Sequence, residues 1–147
     1  MNLPHPDDLT SLVLRTDFSD DSAWAALQAA IDDGDESRHA TYVSDPAFAG
    51  ATVQSLVDAD GSAVEKDKLY YLFVADETTM TDPEHPLLAV DLADEPGRAF
   101  RVPPGWYADV STNLTIANMD FVEFADAADA SGTYRGFHDD DASAPVG

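Results

Sequence analysis

Leu69-Tyr70-Tyr71-Leu72-Phe73-Val74-Ala75 is an unbroken run of aromatic, branched and aliphatic side chains without a charge. A half-exposed strand alternates polar with apolar positions, so a run of this kind predicts a strand covered on both faces. It predicts the centre of the sheet. On its C-terminal side, residues 86–92 and 99–102 are two further apolar runs, separated by Asp94-Glu95-Pro96-Gly97, a turn-rich quartet that predicts an antiparallel hairpin. Pro103-Pro104-Gly105 is expected to close its second strand.

On the N-terminal side, Leu12-Val13-Leu14-Arg15-Thr16 predicts a first strand. Phe18-Ser19-Asp20-Asp21 then predicts a helix entry with Ser19 as cap and two carboxylates at the positive end of the dipole. Trp24, Leu27 and Ile31 follow at i, i+3 and i+7 and give that helix a core-facing stripe, which is expected to end before Asp32-Asp33-Gly34-Asp35. A short strand over residues 41–43 stops at Asp45-Pro46, and residues 53–57 predict a short helix ending near Gly61. Beyond the hairpin a second long helix is expected from Asn118, with Asp120 in its first turn, Phe121, Phe124, Ala125 and Ala128 on one face, and Gly132 past its end. Residues 133–137 predict a last, edge strand.

These elements describe one α/β (α+β) domain over residues 11–137, a mixed sheet of about five to six strands with two long helices and short helical turns. Residues 1–10, with two prolines, and the acidic residues 138–147 are expected to be mobile.

The 147 residues carry 29 acidic and 7 basic side chains, a formal net charge of −22. Spread over the surface expected for this mass, that is about one net negative charge per 330 Å². Such a surface repels nucleic acid and anionic membranes and attracts cations and basic proteins or peptides. The imbalance is mostly aspartate, 23 against 6 glutamates, a bias shared by salt adaptation and by GC-rich coding. With no cysteine, disulfides, thiolate metal sites and cysteine nucleophiles are excluded. No leader pattern or membrane-length apolar run is present in the sequence, so a cytoplasmic location is expected.

Several blocks resemble an uncharacterised family of small acidic actinobacterial proteins. They are Leu14-Arg15-Thr16-Asp17-Phe18, Asp82-Pro83-Glu84-His85-Pro86-Leu87-Leu88, residues 113–121 with Phe124-Ala125, and Tyr134-Arg135-Gly136-Phe137. The resemblance spans the expected folded part and implies no activity and no catalytic residue.

Two functional readings follow from the residues. In the first, the chain is a non-enzymatic acidic protein that engages a basic protein or peptide, in the manner of an inhibitor or immunity protein, and needs no cofactor. Its docking residues would be Asp20, Asp21, Asp32, Asp33 and Asp35, which bracket the first helix; the C-terminal group opposes the helix dipole. Trp106 and Tyr107 would add amphipathic anchors at a strand exit. In the second, Asp17 after the first strand and Asp76-Glu77 after the central one hold Mg²⁺ or another divalent cation for a small enzyme or ligand-binding domain, provided the two strands are parallel neighbours. Glu84-His85 sits in a proline-bracketed turn, where adjacent side chains point apart, and no HExxH or second histidine accompanies it. Asp58-Ala59-Asp60-Gly61 fails as a calcium loop because its glycine comes fourth and Leu69 stands where the twelfth-position glutamate belongs. Arg15, Arg101 and Arg135, each among apolar neighbours, predict partly buried ion pairs with aspartates.

Overall fold

The computed structural model describes residues 3–7, 10–32, 40–116 and 119–136. The elements are β1 (Ser11–Arg15), α1 (Asp21–Asp32), β2 (Ala40–Val43), α2 (Val53–Gly61), β3 (Tyr71–Ala75), α3 (Glu77–Thr81), β4 (Leu87–Asp91), β5 (Ala99–Val102), α4 (Pro104–Thr115) and α5 (Phe121–Asp126), with 3₁₀ turns at Pro46–Phe48 and Glu65–Asp67. The sheet order is β2-β1-β3-β4-β5. β1 is parallel to both β2 and β3, whereas β4 runs antiparallel to β3 and to β5.

The expected central run is the middle strand, and the register explains its burial. Val13, Phe73, Ala89 and Phe100 lie opposite one another across four strands and face one side. They pack there with Trp24, Leu27 and Ile31 of α1, with Tyr107 and Val110 of α4, and with Phe121 and Phe124 of α5. Alternate residues, Leu12, Leu14, Leu72, Val74 and Val90, face the other side against Phe48, Leu56 and Leu69. Period-two geometry thus gives β3 two dry faces.

The crossover β1-α1-β2 steps one way along the sheet, and β2-α2-β3 steps back past β1. Right-handed parallel crossovers running in opposite directions place their helices on opposite faces, and α1 and α2 contribute to different cores accordingly.

Three expectations are corrected. The second long helix is α4: Pro103-Pro104 ends β5 but also supplies proline at the first helical position, where its missing N–H is harmless. The stretch expected to hold that helix carries only the six-residue α5, capped by Asp120 and Glu123 in a reciprocal pair, and Asn118 lies outside the described residues. Residues 133–136 form no strand: Thr133 makes one parallel bridge to Arg101, after which Gly136 turns away at φ +90°. A Cβ on Gly136 would lie 2.8 Å from the Trp106 ring, so both the turn and the close approach require glycine. The entry to α1 also shifts by one residue. Asp20, not Ser19, caps it, accepting from the Ala23 amide at 3.0 Å. Phe137 and residues 138–147 lie outside the described residues.

Candidate functional site

β1 and β3 are parallel neighbours whose outgoing connections run to opposite sides, from β1 to β2 and from β3 to β4. In open sheets a crevice forms at the carboxyl ends of strands at such a point. Here it is a cleft of about 540 Å³ walled by the residues that leave β1 and β3 and by residues 49–51. Backbone bonds fix its floor: the Thr16 amide donates to Ala75 O at 2.9 Å, and the Gly50 amide to Thr16 O at 2.8 Å.

β1 and β3 each deliver a carboxylate to this cleft, whereas Asp45, after β2, does not line it. Asp17 follows β1, Asp45 follows β2, and Asp76 with Glu77 follows β3. Asp17 accepts from both the amide and the hydroxyl of Ser19, at 2.8 and 2.6 Å. Those bonds hold its carboxyl below the usual range and outweigh the neighbouring Asp76 charge. Asp76 caps α3 by accepting from the Thr79 amide at 3.1 Å and takes a bidentate pair from Arg101 at 2.9 and 3.0 Å. Partial burial pushes its pKa up, but the Arg101 and Thr79 hydrogen bonds push harder and leave it lowered. Asp45 accepts from the Ala47 amide at 2.9 Å.

Arg15, at the end of β1, is only 3% exposed. Its Nε donates to Asp17 O and one terminal nitrogen to Asp21 Oδ1, both at 2.8 Å, while the guanidinium lies over the Phe18 and Trp24 rings. A buried cation is thus held by a backbone carbonyl, two aromatic faces and one exposed carboxylate. The three arginines singled out in the sequence are all paired, Arg135 with Glu84 and Asp129.

The structure gathers part of the expected set. Asp17, Asp76 and Glu77 line one cleft, β1 and β3 being parallel neighbours, and Asp20 and Asp21 start α1 beside them. Asp32 stands at the other end of α1, roughly 18 Å away by helical rise, where it accepts from the Tyr42 hydroxyl at 3.0 Å. Asp33 and Asp35 lie outside the described residues. Trp106 is 38% exposed and packs edge-on against Tyr134. Tyr107 is wholly buried, 4.8 Å from the Phe73 ring, because the strand exit is in fact the first turn of α4; it is a core residue and no surface anchor. Glu84 bonds Arg135, whereas His85 sits at φ +49° with Nδ1 3.0 Å from Thr79 O, so the two side chains serve different neighbours.

The donor set does not suit a divalent cation. Both Asp76 oxygens face Arg101, and among the described residues no group of three or more His, Asp or Glu side chains gathers about one point.

Residues 10–137 match the family described as Domain of unknown function (DUF6924). The chain belongs to that family. No curated protein matches it. In this DUF6924 chain the matched span runs from just before β1 to the described residues that bridge β5, so the whole sheet lies within the family domain. Among the described residues no helix is long and apolar enough to cross a membrane.

Proposed function

We propose that this DUF6924 chain is a non-enzymatic binding protein, cytoplasmic and of the acidic actinobacterial type, whose carboxylate rim receives a basic peptide or basic protein segment. One observation carries the reading: two adjacent parallel strands, β1 and β3, place Asp17, Asp76 and Glu77 around a single cleft at the point where their outgoing connections diverge along the sheet. The lysines are elsewhere, at Lys66 and Lys68 before β3, and the two arginines at this end are turned inward onto Asp21 and Asp76. Carboxylates held below their ordinary pKa stay ionised and speed the encounter with a cation.

The test uses a lysine-rich peptide as probe in surface-plasmon kinetics. Glu77 is exposed and caps nothing, so Glu77→Gln, combined with Asp17→Asn, lowers rim charge without removing a cap. The double variant should associate more slowly and with weaker salt dependence, with dissociation changed less. Asp32→Asn, at the far end of α1, should leave the association rate nearly unchanged. An equal slowing by the two variants would reduce the acidity to a diffuse property of the surface and overturn the reading.

A further inference from the structure

A second cleft opens at the opposite end of the sheet, where β1 and β3 begin and β4 and α4 end. It holds about 520 Å³, within the range of small-molecule sites. Its apolar wall includes Leu114, Met119 and Phe121. Behind that wall runs a chain of hydroxyls. The Tyr71 hydroxyl lies 2.7 Å from Ser11 Oγ, which lies 2.6 Å from Ser111 Oγ, and Tyr107 bonds the two serines in turn. Ser11, Ser111 and Tyr107 are buried, while Tyr71 stands half-buried in the cleft wall.

A hydroxyl donates one bond and accepts up to two, so the donor direction along such a chain can reverse as a unit. With Tyr71 donating inward to Ser11, its oxygen presents lone pairs to the cleft. The cleft is lined by four carboxylates, Asp7, Asp91, Asp94 and Asp120, against one ammonium, Lys68. That sign repels carboxylate and phosphate ligands and attracts a cation.

We propose that this cleft is a binding site for a small organic cation, an ammonium group joined to an apolar body about the size of one ring. The ammonium donates to the Tyr71 hydroxyl under the field of the lining carboxylates, and the body lies on Leu114, Met119 and Phe121. The site is separate from the carboxylate rim by the length of the sheet, and neither proposal depends on the other.

Backbone amide NMR of the full chain in 0.15 M sodium chloride at pH 7 tests it with three probes of one shape: phenethylamine, 2-phenylethanol and phenylacetate. Phenethylamine should give saturable shifts centred on Ser11, Leu12, Tyr71 and Phe121. The alcohol should bind about tenfold more weakly, since charge-assisted bonds exceed neutral ones, and phenylacetate should not saturate. Tyr71→Phe keeps the ring and should weaken the amine by more than about tenfold, since it removes the charge-assisted bond altogether. Asp94→Asn, on an exposed turn, should narrow the gap between amine and alcohol. The proposal is overturned if the amine shifts do not saturate or spread to the carboxylate rim. Equal binding of amine and alcohol, or unchanged amine affinity in both variants, overturns it as well.

Discussion

The two ends of the sheet solve the same problem with opposite chemistry. At the carboxyl end, α1, the 3₁₀ turn at Pro46–Phe48 and α3 all begin, and each helical start leaves amides without intrahelical partners. Asp20, Asp45 and Asp76 satisfy them, so three of the carboxylates at this end of the sheet are caps in origin. At the amino end α4 finishes and α5 begins on its Asp120 cap, while in the interior neutral hydroxyls satisfy one another. An acidic rim therefore follows in part from where helices start, and only Asp17, Asp21 and Glu77 exceed what capping requires. Asp21 is committed to Arg15, which leaves Asp17 and Glu77 as the carboxylates whose removal best separates recognition from folding.

Arg101→Ala should produce the largest effect. It strips a partly buried Asp76 of both its guanidinium bonds, and the loss should be about 2 kcal/mol, below the value for a fully buried pair because both side chains keep about a quarter of their exposure. Urea denaturation measures it; a loss under about 0.5 kcal/mol would mean that capping alone holds Asp76. Asp20→Ala should follow at about 1 kcal/mol, the usual worth of an N-cap, whereas Ser19→Ala should do less to α1 because Ser19 bonds only Asp17. Thermal melts of the two variants compare them directly.

Acid sharpens the contrast further. The folded pKa of Asp76 lies below its ordinary value of 3.8, so its contribution is complete above that value and is lost as pH falls through the folded pKa. Stability should decline from about pH 4 downward, and Asp76→Asn should flatten that decline; an unchanged acid limb in the variant would assign it to other carboxylates. The hydroxyl chain itself ionises nowhere near this range, burial having raised the Tyr71 and Tyr107 pKa values. A smaller effect than that of Arg101→Ala belongs there: Ser111→Ala should cost about 1 kcal/mol, because Ser11 keeps its bond to Tyr71. Its melt should shift equally at pH 3.5 and pH 7, in contrast to that of Asp76→Asn.

The fold was legible where burial wrote an unambiguous pattern. The uncharged run through Tyr71 and Phe73, the hairpin about Pro96-Gly97 and the Trp24-Leu27-Ile31 stripe each admit one reading, and each stands as expected. α4 was not legible. Its buried face, Tyr107, Val110 and Ser111, includes a serine whose partner Ser11 lies a hundred residues away, and its opening prolines also suit the end of a strand. The closing segment misled for a related reason: Thr133-Tyr134 has strand-like residues, but Gly132 and Gly136 on either side both take positive φ. For the site, the meeting of Asp17 with Asp76 and Glu77 rested on a parallel pairing of β1 and β3 that sequence can state only as a condition. The hydroxyl chain was invisible, because it joins the first residues of two strands to the inner face of a helix that had not been foreseen.

The pairing of Val13 with Phe73 sets a timetable for the chain. β4 and β5 close over a short turn, but β1 must find a partner sixty positions later, and long loops close slowly. At about 5–20 residues per second on the ribosome, Leu12, Val13 and Leu14 emerge roughly 3–12 s before the strand that covers their inner edge is made. During that interval only α1 and β2 are at hand to shield them. The β1-α1-β2 unit is thus the first part of this protein to need protection from aggregation, and the central strand, though it organises the finished sheet, is a latecomer to its own core.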